Sequence, residues 1–197
     1  ASRWRYAGAF FRLNYSYDNR YLFEVNGRYD GSSKFPNNSQ WGFFPSASAA
    51  WRLSEERFWK VDPKFLSNVK LRMSYGALGN SNVNPYSYLE KFSLSTFSTT
   101  GTSTDGRYLD GSAKLRYTKN PSQIPDNIGW ETSKTVDVGI DLGFLHNKIT
   151  LSADYYVRKT IDMYTVGPTL PDTFGASSPK GNYADMSTYG YEISLGY

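Results

Sequence analysis

Apolar and polar residues alternate along most of this sequence, and the alternation is clearest in the stretch that ends at Phe144. From Val136 to Phe144 every second residue is apolar, while the residues between them are small or charged. A period of two is that of a β-strand with one apolar face. After His146 and Asn147 the apolar positions change parity, which predicts a two-residue hairpin turn with Phe144 opposite Ile149. All apolar side chains of this hairpin then share one face of the sheet.

The same alternation predicts seven strands. They cover residues 4–17, 21–30, 41–53, 68–78, 136–144, 149–159 and 189–197. A three-residue turn at 18–20 joins the first two strands and requires a left-handed backbone at Asn19 or Arg20. Residues 86–97 and 107–118 alternate poorly, and they either form two further strands or belong to one long loop. Ser54 is predicted to cap a short helix over residues 54–59.

Strands of this kind are typical of a transmembrane β-barrel, because they are nine to fourteen residues long and carry small or charged side chains behind the bulky apolar ones. The mean hydropathy of −0.56 agrees with such strands, since alternation lowers the average. The chain is rich in aromatic residues, with 17 Tyr, 12 Phe and 5 Trp. Tyr15, Tyr17 and Tyr21, close to one turn, resemble an interfacial girdle. The predicted fold is all-β, a fragment of a large antiparallel transmembrane β-barrel with seven or nine strands.

The polar face of these strands is predicted to face a water-filled lumen. Its carboxylates are expected to be solvated wall rather than a catalytic pair, because nothing in the sequence indicates a group that would raise a pKa. The residues predicted to face the lumen are Arg12, Glu24, Arg28, Arg72, Asp137, Asp141, Asp154 and Arg158.

The number of strands indicates a piece of a larger barrel. If the short turns lie on the periplasmic side, the first and last strands both run inward, with seven strands or with nine. Two edges that run in the same direction cannot close antiparallel on each other. Unpaired edge groups in lipid are costly, so the rest of the barrel is expected elsewhere in the parent protein.

Several short motifs follow one another in a fixed order. They are residues 28–35 (RYDGSSKF), 41–46 (WGFFPS), 51–56 (WRLSEE), 66–72 (LSNVKLR) and 74–80 (SYGALGN), followed by 139–145 (GIDLGFL) and 154–156 (DYY). In this order they resemble the barrel of SusC/RagA-type TonB-dependent outer-membrane transporters. Trp130-Glu131 and Leu170-Pro171 also resemble that family, whereas residues 81–126 match it little. We therefore expect residues 1–197 to be one partial barrel domain.

The resemblance implies import of large nutrients across the outer membrane, through a barrel of about 22 strands that is closed by a plug. The implied cargo is an oligosaccharide (glycan) or a peptide. The implied partners are outer-membrane lipid, a SusD-like surface lipoprotein and TonB. This chain lacks the plug and the TonB box, so TonB is expected to act through an N-terminal part that precedes these residues.

Few residues in the sequence suit catalysis or metal binding. His146 is the only histidine, it lies in a predicted turn, and the chain has no cysteine. A Ser-His-Asp triad and a His- or Cys-rich metal site are therefore not expected, and we predict neither an enzyme nor a cofactor. The net charge of +4 comes without a run of like charges, so no nucleic-acid partner is expected.

Substrate and lipoprotein contacts are predicted in the long extracellular connections, residues 30–40, 81–126 and 161–186, because long loops on a rigid scaffold usually carry recognition. Alternatively, these loops only pack on one another to close the barrel mouth. A different fold is also possible, a soluble carbohydrate-binding β-sandwich with the apolar face in its core. The candidate contact residues carry amides or aromatic rings and are Asn37, Asn38, Gln40, Tyr86, Tyr88, Tyr108 and Trp130.

Overall fold

A computed structural model of the chain describes residues 2–96, 116–119, 123–124, 127–171, 173 and 178–197. The described residues form nine strands: β1 (Tyr6–Tyr17), β2 (Tyr21–Ser32), β3 (Trp41–Arg52), β4 (Leu66–Asn80), β5 (Leu94–Thr96), β6 (Arg116–Thr118), β7 (Glu131–Phe144), β8 (Ile149–Val166) and β9 (Lys180–Gly196). Seven of them form the main sheet, in the order β1-β2-β3-β4-β7-β8-β9, and β5 pairs with β6 in a separate sheet. All neighbouring strands are antiparallel.

Most of the left-handed positions in the two tight turns carry residues that tolerate such a backbone, and the exception is Leu145, with a φ of 52°. Asp18 and Asn19 have φ angles of 47° and 53°, and His146 and Asn147 have φ angles of 59° and 62°. Asn, Asp and His occupy this region more readily than most other residues. The sequence predicted a left-handed backbone at Asn19 or Arg20, and the structure has it at Asn19 and at Asp18. The predicted registers are confirmed, with Tyr17 opposite Tyr21 and Phe144 opposite Ile149.

The long connection between β4 and β7 adds no strand to the main sheet. β4 pairs directly with β7, from Leu66 opposite Phe144 to Asn80 opposite Glu131. β5 and β6 form only three residue pairs, with each other. The main sheet formed by the described residues therefore has seven strands, and β5 and β6, each of which lies within one of the two doubtful stretches, are two further short strands outside it. Residues 97–115, which include most of the second doubtful strand, lie outside the described residues.

β1 and β9 are the two edges of the main sheet, and they do not pair with each other. Since all seven strands are antiparallel to their neighbours, both edges run in the same direction. The sheet formed by the described residues is therefore open, as expected for a fragment of a larger barrel.

The β8–β9 hairpin is longer than the sequence predicted. β8 continues to Val166, so the connection predicted over residues 161–186 shortens to residues 167–179. A bulge with a positive φ of 57° at Asp162 interrupts the pairing of β8 with β9. β7 pairs with β8 only as far as Ile161, and beyond that residue the β8–β9 hairpin continues without a third strand for about 16 Å at about 3.3 Å per residue.

A single 3-10 turn, Leu53–Glu55, replaces the short helix predicted over residues 54–59. The prediction that Ser54 caps this helix is wrong, because the turn already includes Leu53 and the residue before it is Arg52, which makes no side-chain cap. The Ser54 hydroxyl instead donates to Asn68 Oδ1 in β4, at 3.4 Å.

One face of the main sheet, the apolar face, is uncovered. No second sheet of described residues forms a core with it, since the only other sheet is the three-residue pairing of β5 and β6. The described residues therefore do not form the two-sheet core that the β-sandwich alternative requires. No helix among the described residues is long and apolar enough to cross a bilayer. Exposed members of the apolar face include Phe23, Tyr29, Met73, Val138, Tyr155 and Ile193.

Aromatic rings gather on the apolar face at both ends of the strands. At the turn end, where the two tight turns lie, Tyr21 stacks on Trp51 with centroids 6.3 Å apart. At the opposite end, the loop end, Tyr29 stacks on Trp41 at 5.0 Å. Tyr21 and Tyr29 are separated along β2 by about 27 Å at about 3.4 Å per residue. On a strand tilted by about 35–45° this is about 19–22 Å along the barrel axis, slightly less than the apolar band of about 25 Å between the aromatic girdles of outer-membrane barrels.

Candidate functional site

The opposite face of the main sheet, the polar face, carries ion pairs that cross from strand to strand. Arg12 of β1 donates to Glu24 of β2 at 2.7 Å. Asn26 donates to the second oxygen of Glu24 at 2.9 Å and to the Ser46 hydroxyl of β3 at 3.1 Å. Arg12 and Glu24, both predicted to face a lumen, therefore lie on the polar face as a neutral pair.

Arg72 of β4 links three strands of the polar face. Its guanidinium forms a bidentate pair with Asp141 of β7, with donor–acceptor distances of 2.8 Å and 2.9 Å. Its Nη2 also donates to Asp154 of β8 at 3.1 Å, and Ser152 donates to Asp141 at 2.9 Å. Gly139 leaves room for this network, because a Cβ at that position would overlap Asp154 Oδ1. The structure thus brings together three residues that the sequence could only assign to a common face.

Two further charged residues predicted to face the lumen lie elsewhere on this face. Arg158 is opposite Thr135, as predicted, and its Nε is 3.4 Å from the Thr135 hydroxyl oxygen. Asp137 lines a concavity of about 480 Å³ together with Glu24 and Lys70. Among the described residues, no group of three or more His, Cys, Asp or Glu side chains could hold a metal ion.

At the loop end, residues from separate connections form a hydrophobic core, which we call the loop core. It consists of the buried side chains of Phe35, Val83 and Ile128. Phe35 lies between β2 and β3, Val83 follows β4, and Ile128 precedes β7. The loops therefore hold one another in place at this end of the sheet. The side chains that pack against the loop core are those of Tyr88, Ile124, Trp130 and Tyr164.

Asn182 of β9 ties the segment before β7 to the β8–β9 hairpin. Its side-chain oxygen accepts a hydrogen bond from the Gly129 N–H at 2.9 Å, and its amide donates to the Gly129 carbonyl at 3.3 Å. The same amide donates to the carbonyl of Asp162 at the bulge. Asn127 in turn donates to the Asn182 carbonyl at 3.0 Å. Nothing in the local sequence distinguishes Asn182 from other asparagines near loops, so this role could not be predicted from the sequence.

Four of the predicted contact residues lie in or beside the β2–β3 connection. Trp130 Nε1 donates to the Gln40 carbonyl at 3.0 Å, and its ring lies 5.1 Å from that of Phe35. Gln40 Nε2 donates to Asn37 Oδ1 at 3.1 Å. Asn37 and Asn38 are exposed, whereas Trp130 and Gln40 are half-buried.

The other predicted contact residues are the three tyrosines. Tyr88 packs against the loop core. Tyr86 has a φ of 64°, and its ring centroid lies 6.0 Å from Lys91 Nζ. Tyr108 lies outside the described residues.

Below the loop core, the polar face contains a groove that the sequence analysis missed. β3 and β4 pair only as far as Ser46 opposite Gly76, and the next residue of β3 is Pro45, which has no N–H for a ladder. Beyond this point the Phe44 ring fills the space between the two strands and is only 7% exposed. Its centroid lies 5.3 Å from that of Trp130.

Phe10 and Leu78 line opposite sides of this groove, which has a volume of about 530 Å³. Both occupy even positions, so they lie on the polar face, and they are 82% and 72% exposed. The sequence does break its alternation at both places, because Phe10-Phe11 and Ala77-Leu78 are consecutive apolar residues. Such a break indicates an apolar side chain on the polar face. Only the register of the strands shows that the two side chains lie at the same height.

At the turn end, the Glu56 carboxylate joins two connections. It accepts hydrogen bonds from the Tyr21 hydroxyl at 2.7 Å, the Trp51 indole at 2.9 Å and Arg20 at 3.3 Å. These bonds, and that of Tyr21 most, hold the pKa of Glu56 below its usual range. The turn after β3 is thereby tied to the turn between β1 and β2.

The whole chain, residues 1–197, matches the model of the family described as "TonB dependent receptor-like, beta-barrel". It is 39% identical, over 94% of its length, to TonB-dependent receptor P3 of Formosa agariphila. It is 36% identical, also over 94% of its length, to TonB-dependent receptor SusC of Bacteroides thetaiotaomicron. The chain spans 17% and 18% of these two proteins.

The fold is also that of a solved relative. A structure of the RagAB peptide importer in its closed-closed state superposes with a TM-score of 0.77 and 26% identity, over 96% of this chain and 19% of that one. Such proteins are outer-membrane β-barrels, and the main sheet described above is a segment of the wall of such a barrel. The chain therefore belongs to the TonB-dependent receptor-like β-barrel family, as a SusC/RagA-type member of the outer membrane.

Proposed function

We propose that this chain is part of the wall of an outer-membrane importer for oligosaccharides or peptides. The observation that carries the proposal is the division of the main sheet into two faces. Met73 lies on the exposed apolar face, while the adjacent Arg72 lies on the polar face and pairs with Asp141 and Asp154. A wall with these two faces separates lipid from a water-filled passage. Import is supported by the relatives, which are named TonB-dependent receptors and, in one case, a peptide importer.

The loop end is the side proposed to meet a SusD-like surface lipoprotein. The loop core supports this, because loops that already hold one another lose less conformational entropy when a partner binds. TonB would act through a part of the parent protein outside these residues. At the turn end, the tight turns offer little surface for recognition.

We propose two different roles for the candidate contact residues. Asn37 and Asn38 are exposed at the loop end and would meet substrate or lipoprotein directly, and Tyr86 would do so with its half-buried ring. Trp130 and Tyr88 are engaged in packing, so they would act by holding the loop core in shape. Gln40 would hold the β2–β3 connection, and Tyr108 is proposed as a contact from the sequence alone.

Uptake by cells that lack the full-length parent gene tests the proposed import. The deletion strain, with and without the gene restored, would be given a panel of labelled oligosaccharides and peptides. We expect at least one class to accumulate only when the gene is present. Equal accumulation of every compound in both strains would contradict the proposal.

A pair of matched variants tests whether the loop end carries the contacts. The double substitution Asn37→Ala/Asn38→Ala removes exposed amides at the loop end, whereas Asn19→Gly removes one at the turn end and keeps a residue that accepts a left-handed backbone. We expect the first to lower uptake or lipoprotein association and the second to leave both unchanged, with equal barrel levels in the membrane. The same losses with Asn19→Gly would show that the loop end has no special role.

A further inference from the structure

We infer that the groove between Phe10 and Leu78 is a ligand subsite for an apolar group next to a carboxylate, such as a large apolar side chain at the C-terminal end of a peptide. This inference rests on the proposed import function and deepens it, because it names the cargo chemistry that one position in the wall would accept.

The apolar side chains of the groove are concentrated at one height on a face that is otherwise polar. Strand pairing sets Phe10 opposite Arg28, and Arg28 opposite Phe44. The last β3–β4 pair is Ser46 opposite Gly76. Phe44 lies two residues before Ser46 on β3, and Leu78 lies two residues after Gly76 on β4. The two residues are therefore at the same level along the antiparallel strands. The neighbouring rows contain small or polar residues, namely Gly8, Asp30 and Gly42 on one side and Arg12, Asn26 and Ser46 on the other.

The geometry of the groove suits a bulky apolar group. Phe10 and Leu78 form the two exposed sides, and the Phe44 ring lies between them where β3 and β4 separate. A branched or aromatic side chain placed there would contact the exposed sides of Phe10 and Leu78, and its burial would remove exposed apolar area from water. The volume of about 530 Å³ lies in the range of small-molecule sites.

Positive charge faces the same groove. Arg28 pairs with Asp30 and Arg12 pairs with Glu24. In each pair the carboxylate is the more buried member, since Arg28 and Asp30 are 57% and 5% exposed, and Arg12 and Glu24 are 62% and 27% exposed. A ligand entering the groove therefore meets the guanidinium groups first, and a guanidinium binds a carboxylate with directed, charge-assisted hydrogen bonds.

The groove is less suited to a neutral sugar. A sugar needs donors and acceptors for several hydroxyl groups around the ring it stacks on. The uncharged polar side chains that line the groove are those of Tyr6, Asn26 and Ser46, and the last two are already bonded to each other at 3.1 Å. An apolar group with an anionic end matches the available chemistry better.

Binding to the full-length parent protein, purified in detergent with its lipoprotein, tests the inference. The ligands are the tripeptide glycyl-glycyl-phenylalanine, its C-terminal amide and the neutral sugar maltohexaose. We expect the free acid to bind about tenfold more tightly than the amide, and Arg12→Gln to remove that difference. Phe10→Ala and Leu78→Ala should each weaken binding of the acid about tenfold or more. Arg12 is preferred to Arg28 for this test, because Arg28→Gln would leave Asp30 buried without its charged partner.

Tyr156→Ala is the matched control. It removes another ring of the polar face that lies beside an arginine, Arg158, outside the groove, and it should leave all affinities unchanged. Unchanged affinity in Phe10→Ala and Leu78→Ala would overturn the inference, as would equal binding of acid and amide or absence of tripeptide binding. Lower folded yield of these variants with unchanged affinity would show that the groove holds another part of the protein, which also overturns it. The proposed import is tested separately, by the uptake of the whole panel of compounds in the deletion strain with and without the gene.

Discussion

Gly79 of β4 has no side chain at the place where the Phe44 ring packs. A Cβ at Gly79 would overlap that ring, whereas a Cβ at Gly76, on the same strand, would come no closer than 3.7 Å to Ser46. The Phe44 ring in turn contacts Trp130. One missing methyl group therefore permits the contact between the sheet and the loop core.

We predict that Gly79→Ala destabilises the folded parent protein by about 1–3 kcal/mol, because it overpacks a buried ring. Gly76→Ala is the control and should cost much less. Urea unfolding of both variants in lipid vesicles measures the difference. Equal loss in the two variants would mean that the position of the Phe44 ring does not matter for stability.

A second prediction at the residue scale concerns pH. The folded pKa of Glu56 is lowered, so its hydrogen bonds stabilise the fold fully above the usual carboxyl pKa, and the stabilisation is lost as the pH falls through the lowered value. Acidification from neutral pH to below about 4 should therefore destabilise the wild type more than Glu56→Gln, which lacks the ionisable group. Unfolding midpoints at both pH values test this, and identical pH dependence would contradict it.

Each strand of the main sheet has an apolar face and a polar face, and a barrel wall in a membrane needs this difference between its two faces. Met73 and Ser74 are adjacent on β4, the first opposite Val138 on the apolar face and the second opposite Asp137 on the polar face. A new charge would meet lipid at one position and a carboxylate at the other.

We therefore predict that Met73→Arg lowers the free energy of unfolding by about 2–4 kcal/mol, while Ser74→Arg changes it little. The two variants carry the same new side chain at adjacent positions of β4, so they differ only in the face that carries it. The measurement is the folded fraction of each variant in lipid vesicles. Equal sensitivity at the two positions would contradict the assignment of lipid and lumen sides.

Beyond Ile161, where β7 no longer pairs with β8, Asn182 holds the β8–β9 hairpin through hydrogen bonds to Gly129 and Asp162. We predict that Asn182→Ala leaves the barrel folded but speeds amide hydrogen exchange in residues 127–130 and 178–183. The Asn182 side chain makes three of these bonds, and each contributes about 0.5–1.5 kcal/mol net to stability. Asn127→Ala, which removes a single bond, should have the smaller effect. Protection that is unchanged in Asn182→Ala would show that the loop core alone holds these segments.

At the scale of the whole molecule, the uncovered apolar face has to meet lipid or detergent. We predict that the full-length parent protein is monodisperse in detergent and aggregates when detergent is removed, because the exposed apolar side chains then associate with one another. Size-exclusion chromatography with and without detergent measures this. A monodisperse protein in plain buffer would be incompatible with the lipid-facing wall.

The predictions made from the sequence were most accurate for local features. The sides of Val138 and Asp137, and the pairing of Tyr17 with Tyr21, follow from parity and turn length within one hairpin. The end of β8 was placed too early, because residues 161–186 contain prolines and glycines that are typical of loops. The structure nonetheless continues β8 to Val166 by pairing it with β9.

The sequence by itself determined the central parts of the seven strands of the main sheet, the side that each of their residues faces, and the register of the two tight hairpins. These features depend on the period of two and on turns that join neighbouring residues. Only the tertiary structure decided that β4 pairs with β7, that Phe35, Val83 and Ile128 share one core, and that Phe10 and Leu78 flank one groove. The physical reason is that parity specifies a face but not a height, and the relative height of strands joined by long loops depends on contacts between residues far apart in the chain.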